Sequence, residues 1–132
     1  MSQDQPHRAK ILVVDDEVSI ANTLCMIFER FGYVCVKAFD AEVALAVALE
    51  TRPDLLLSDV VLPGMSGVQL AITLRDRMPE CKTLLFSGQA STSLLLDQAK
   101  EKGYDFEILA KPAHPKVLID YVKRILAEPS HA

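Results

Sequence analysis

Four short apolar runs punctuate the chain, and each ends in a polar residue. Ile11-Leu12-Val13-Val14 runs into Asp15-Asp16, and Leu55-Leu56-Leu57 into Ser58-Asp59. Thr83-Leu84-Leu85-Phe86 runs into Ser87-Gly88, and Glu107-Ile108-Leu109-Ala110 into Lys111-Pro112. Runs of this length without polar alternation are what parallel strands covered on both faces look like. Val34-Cys35-Val36 is a weaker fifth strand. Helical patterns fill the intervals. Ile20, Leu24, Ile27, Phe28 and Phe31 share one face up to Gly32, and Ala41, Ala44, Leu45, Ala48 and Leu49 share another up to Arg52-Pro53. A third helix opens with Ser66 and Gln69 at capping-box spacing and ends before Pro79. A fourth spans about Thr92 to Lys102, and a fifth opens with Pro115 and uses Leu118, Tyr121, Val122 and Ile125. This order, β-α repeated five times with short loops, predicts an α/β fold with a doubly wound parallel sheet.

Composition sharpens that picture. The 132 residues fit one domain, and half of them are apolar, with 37 Leu, Val and Ile against eight aromatics. Such a chain buries roughly two-thirds of its unfolded surface, enough for a core without metal or disulfide support. No apolar run approaches a bilayer span, and Met1 to Lys10 is polar, so a cytoplasmic protein that does not engage a membrane is expected. A net charge of −4 with scattered Lys and Arg argues against nucleic-acid binding by the domain itself. Cys25, Cys35 and Cys81 form no metal-ligand spacing and are expected to be separate, buried or half-buried thiols. His7, His114 and His131 lie too far apart for a histidine metal site.

In an open α/β sheet, ligands bind beyond the carboxyl ends of the strands. Those ends carry Asp15, Asp16, Asp59, Ser87 and Lys111. Three crowded carboxylates over an apolar sheet repel one another, and a hard divalent cation with oxygen ligands, usually Mg²⁺, relieves the repulsion. One carboxylate oxygen then remains as a nucleophile, while Lys111 and Ser87 can hold a phosphoryl group. Each residue also has a plainer role: Asp16 as a helix cap, Ser87 as turn chemistry, Lys111 as a solvated loop lysine. Their convergence on one sheet edge is harder to explain that way.

Val14-Asp15-Asp16-Glu17, Leu57-Ser58-Asp59-Val60-Val61-Leu62-Pro63-Gly64-Met65-Ser66-Gly67, Phe86-Ser87-Gly88 and Ala110-Lys111-Pro112 together resemble the receiver domains of two-component response regulators. The resemblance spans about Ala9 to Ala127. It implies a flavodoxin-like (βα)5 sandwich with a five-stranded sheet in the order 2-1-3-4-5. It also implies a polar N-terminal tail (1–8), a receiver domain (9–127) and a C-terminal tail (128–132), with no output domain. Asp59 matches the acceptor of a phosphoryl group from a kinase phosphohistidine. Asp15 and Asp16, with Asp59 and the Val61 backbone carbonyl, match the Mg²⁺ (or Mn²⁺) ligands. Ser87 and Lys111 match the residues that bond the transferred group, the Lys111-Pro112 bond being typically cis in relatives. Pro63 and Gly67 match the loop that shapes the site. The implied partners are a histidine kinase or phosphotransfer protein and a downstream protein, with a homodimer through the fourth-helix, fifth-strand, fifth-helix face as one arrangement. The implied activity is Mg²⁺-dependent self-phosphorylation and self-dephosphorylation within a signalling switch or phosphorelay, rather than metabolic catalysis.

One position departs from the family pattern. Three residues before the lysine, where the family usually has Tyr or Phe, stands Ile108; Phe106 keeps the side-chain parity but is no straightforward substitute. Leu94, Leu95 and Leu96 are candidates to carry the signal by packing instead. Val61 and Gln89, two after Asp59 and two after Ser87, are the positions expected to tune the lifetime of the phosphorylated state, and the apolar Val61 predicts slow self-hydrolysis. Two alternatives remain beside the phosphoacceptor: an unphosphorylated scaffold binding partners constitutively, which Ile108 favours slightly, and an aspartate-nucleophile phosphatase, for which the chain is short.

Overall fold

A computed structural model describes residues 8–88 and 93–129. In chain order the elements are β1 (Lys10–Val14), α1 (Val18–Arg30), β2 (Val34–Ala38), α2 (Ala41–Thr51), β3 (Leu55–Asp59), α3 (Gly67–Arg77), β4 (Lys82–Ser87), α4 (Ser93–Glu101), β5 (Glu107–Ala110) and α5 (Pro115–Ala127). The strands form one parallel sheet in the order β2-β1-β3-β4-β5. Fold class and strand order are those the sequence pattern and the resemblance implied.

Side chains alternate across a strand, so each central strand feeds two cores. Leu12, Val14, Leu56 and Leu85 point to one face, where they pack with α2, α3 and the buried Ala99 of α4. Ile11, Val13, Leu55, Leu57, Leu84 and Phe86 point to the other, under α1 and α5. Uninterrupted apolar runs are therefore the right sequence for β1, β3 and β4, because neither face meets water. β2, at the edge, is less buried and two residues longer than its apolar run.

Helix ends follow local chemistry. Asp40 caps α2 through Val43 N (2.8 Å), and Ser66 caps α3 through Gln69 N (3.1 Å), as the capping-box spacing predicts. Pro115 occupies the first turn of α5, and His114 Nδ1 accepts from Lys116 N (3.1 Å), a capping role the sequence did not signal. Arg52 ends α2 in the left-handed region (φ 52°), because Pro53 bars it from continuing the helix. Its N–H still reaches Ala48 O at 2.8 Å. α4 runs from Ser93 to Glu101, inside the expected span; Thr92 lies outside the described residues.

The expectation of three separate thiols is corrected. Cys25 of α1 and Cys35 of β2 are joined as a disulfide, with 5.4 Å between their Cα atoms. The β-α-β turn lays α1 back over β2, and ten residues of sequence separation conceal that adjacency. Cys81 is free and buried. Burial, reinforced by the charges of Asp54 and Glu80, pushes its thiol up to about 12.

The C-terminal end of α5 is tied to the starts of two strands. Lys82, buried at the start of β4, donates from Nζ to the carbonyls of Ile125 (3.2 Å) and Glu128. Arg124 pairs both guanidinium nitrogens with Glu107 of β5 (2.7 and 2.8 Å), and these hydrogen bonds hold the Glu107 carboxyl below the usual carboxylate range. A depressed carboxyl contributes stability above its unfolded value and loses it as pH falls through the folded one. Arg124→Ala returns the Glu107 titration followed by NMR to the ordinary glutamate range, while overall stability changes little because the pair is exposed.

Candidate functional site

β1, β3, β4 and β5 all end along one sheet edge, and the residues just there make the site. Asp15 follows β1, is 1 % exposed, and donates its N–H to Ala38 O at the end of β2 (3.2 Å). Its Oδ1 accepts from Glu17 N (2.9 Å), turning the chain into α1. Glu17 occupies the N-cap position without a side-chain cap bond, so Asp16 does not serve as the cap; its carboxylate is exposed at the rim. Asp59 is the last residue of β3, in register with Phe86 of β4. One carboxylate oxygen from each of Asp15, Asp16 and Asp59 lies within 4.8 Å of the others.

Lys111 completes the group. Its N–H donates to Ser87 O (2.8 Å), which fixes the start of the loop after β5 against the end of β4. Its Nζ donates to Asp15 Oδ2 (2.9 Å) and Asp59 Oδ2 (3.1 Å) and lies 5.4 Å from the Phe86 ring centroid. The solvated-loop role is thereby excluded for this residue. Burial by itself would push the ammonium down, but hydrogen bonds to both carboxylates and their charges outweigh it and hold Lys111 above the ordinary lysine value. The Lys111-Pro112 peptide is cis, as the resemblance implied. Ser87, 6 % exposed, ends β4 opposite Ala110 of β5, next to the lysine.

The β3–α3 loop shapes the other wall. Val61 N approaches Asp59 Oδ1 (3.3 Å), Val60 N donates to Phe86 O (3.2 Å), and Gly67 N donates to Val60 O (2.8 Å). Gly67 packs directly on the Asp59 carbonyl: a Cβ there would lie 1.9 Å from that oxygen. Ser58 Oγ donates to the same carbonyl (2.9 Å), a contact the sequence did not reveal. Pro63 is exposed, and Gly64 takes a φ of 76° to reverse the chain. Asp16, Glu17, Asp59, Val61, Gly88 and Lys111 line an open cleft of about 300 Å³. Glu17 and Gly88 are the lining residues to which sequence reasoning gave no role; only their place in quoted motifs hinted at one.

Ile108 is 38 % exposed on β5. Phe106 does not take its place: it stacks on Tyr104 (6.2 Å between centroids) and lies under the Arg75 guanidinium of α3 (5.0 Å). Of the α4 leucines, Leu94 and Leu95 are exposed and Leu96 packs against the core. Gln89 lies outside the described residues.

Residues 11–123 match the family model of the response regulator receiver domain. The chain belongs to that family. The phosphate regulon transcriptional regulatory protein PhoB of Pseudomonas aeruginosa is 34% identical over 118 residues, covering 88% of this chain and 51% of that protein. The transcriptional regulatory protein ResD of Bacillus subtilis is 32% identical over 127 residues, covering 96% and 52%. This receiver chain thus spans about half the length of these relatives. Among solved structures, the chemotaxis response regulator CheY4 of Vibrio cholerae superposes with a TM-score of 0.78 at 28% identity, covering 90% of this chain and 99% of that one. A signal receiver domain from Pseudomonas fluorescens gives 0.83 at 27% identity, covering 91% and 95%. Receiver domains are signalling phosphoacceptors of two-component systems that bind Mg²⁺ at an acidic pocket, and the carboxylate cluster fits such an ion. Among the described residues, no helix is long and apolar enough to cross a membrane.

Gly67→Ala forces the Asp59 carbonyl or α3 to move and costs roughly 2–4 kcal/mol, read as a lower urea midpoint. Gly64→Ala, whose Cβ meets nothing within 4 Å, pays only for its left-handed φ and loses less.

Proposed function

We propose that Asp59 accepts a phosphoryl group from the phosphohistidine of a histidine kinase or phosphotransfer protein, and that the chain acts as a phosphorylation-controlled interaction switch or relay member. The observation that carries this reading is the Lys111 ammonium bonded to both Asp15 and Asp59, with an Asp16 oxygen within 4.8 Å of theirs. An Asp59 oxygen attacks phosphorus in line, the N–P bond to the donor imidazole breaks, and an acyl phosphate forms on Asp59. Lys111, cationic throughout the physiological range, pairs with the incoming phosphoryl oxygens, and the Ser87 hydroxyl bonds another of them. Asp15, Asp16 and Asp59, with the Val61 carbonyl, would hold Mg²⁺ (or Mn²⁺), which when bound supplies charge against the crowded oxygens. Pro63, Gly67 and Pro112 keep the two loops that carry these groups in place. An apolar groove of about 460 Å³ between α1 and Lys111-Pro112-Ala113 adjoins the cleft and suits a docking donor. The receiver unit is assigned to residues 9–127.

Intact-mass measurement after incubation with Mg²⁺ and acetyl phosphate gives one adduct of about 80 Da on the parent, and none on Asp59→Ala or without the metal. Val61 is 47 % exposed beside Asp59 and offers no polar group to orient water. The adduct therefore decays slowly, and Val61→Asn shortens its lifetime in the same assay. No adduct at all, even with a phosphorylated donor protein, returns the constitutive scaffold; an adduct on Asp59→Ala moves the nucleophile elsewhere.

The metal makes a separate prediction. Mg²⁺ raises the midpoint of thermal unfolding by mass action. Asp16→Asn removes one of three mutually repelling charges, so its midpoint in EDTA lies above that of the parent by about 2–5 °C, and its response to Mg²⁺ is lost.

A further inference from the structure

We propose that Cys25 and Cys35 are a reversible dithiol–disulfide pair that clamps α1 to the edge strand β2 when oxidised and leaves that junction to non-covalent contacts alone when reduced. The pair is placed for closure. Cys25 lies on the buried face of α1, Cys35 is the second residue of β2, and their Cα atoms are 5.4 Å apart at a sequence separation of ten. The surrounding fold holds both residues there without the bond. Ala21, Leu24 and Phe28 bury the same helix face, and Tyr33 N donates to Phe28 O (3.0 Å) while its ring meets Phe28 edge-on at 6.1 Å. The reduced chain therefore keeps this fold.

Access is divided between the two sulfurs. Cys25 is buried, whereas Cys35 is half-buried on β2, which among the described residues has one strand neighbour. Cys35 is accordingly the residue a small disulfide of the glutathione type reaches first. Its thiolate attacks that disulfide and expels one small thiol. The Cys25 thiolate then attacks the mixed disulfide, forms the Cys25–Cys35 bond and expels the second small thiol. Two protein thiols are oxidised, one small disulfide is reduced to two thiols, and the protons pass to the departing thiolates. Cys81 cannot compete, because it is buried in the core on the opposite face of the sheet.

The clamp bears on the acidic loop from both sides. α1 starts directly after Asp15-Asp16-Glu17, and Ala38, the last residue of β2, accepts the Asp15 N–H. Side chains of these elements also meet in an exposed hydrogen bond from Lys37 Nζ to Asn22 Oδ1 (2.8 Å). Oxidation therefore stiffens the junction that carries two of the three carboxylates.

The test uses the full chain equilibrated in graded mixtures of reduced and oxidised glutathione, quenched in acid and alkylated in denaturant. Intact mass and peptide mapping are expected to show three alkylated cysteines at the reducing end and Cys81 alone at the oxidising end, with the transition retraced in both directions. Oxidised chain should melt several degrees above reduced chain and exchange the α1 and β2 amides more slowly. Cys35→Ser should melt with the reduced parent and ignore oxidant. A stable glutathione adduct on Cys35, a bond that includes Cys81, a Cys25–Cys35 bond that survives the most reducing mixture, or equal melting of the two forms would each overturn the proposal. Nothing in these readouts involves Asp59, so they stand or fall apart from the phosphoacceptor assignment.

Discussion

Three carboxylates with oxygens inside a 4.8 Å span, set over an apolar sheet, drive one another apart, and the Lys111 ammonium bonded to two of them opposes that. The contact depends on the whole sheet. Asp15 arrives on β1, Asp59 on β3 and Lys111 on β5, and β4 lies between the last two, with Ser87 O taking the Lys111 N–H. A shift of one residue in any of these strands brings a different side chain to the sheet end and exchanges the sets that face the two cores. The two buried clusters that fix the register therefore also fix the charge geometry. Half-burial strengthens the ion pairs, and the site opens toward solvent at Asp16.

Backbone restraint at Asp59 is the second element of the site. Gly67 presses on its carbonyl from one side and Ser58 donates to it from another, while the carboxylate stays beside the open cleft. The main chain at Asp59 is fixed and its side chain is reachable. The groups that face its carboxylate are the Lys111 side chain and the open cleft, while β3 itself is held on both sides.

Much of this was legible from residue order because it depends on local rules. Period and run length identify buried parallel strands, Ser66 and Pro115 mark helix starts, and strand ends in an α/β sheet mark where chemistry gathers. What was missed depends on distance in space. Cys25 and Cys35 meet only because α1 folds back over β2, and no spacing rule covers a helix–strand pair. His114 became a cap through its ring nitrogen, although histidine is an uncommon residue for that position. Phe106 was legible by parity as a neighbour of Ile108, yet Arg75 and Tyr104 hold it against α3. The Ser58 bond to the next residue's carbonyl follows from rotamer and packing, which a string of letters does not encode.

Lys82 has a consequence for how the last helix is seated. Its ammonium satisfies carbonyls at the end of α5 that lie 43 and 46 residues further along, while its own position is set by β4 pairing on β3. The last carbonyls of α5 thus exchange water for a buried cation when the helix docks on the sheet. One lysine at the far end of β4 therefore anchors the helix whose other end follows the Lys111 loop.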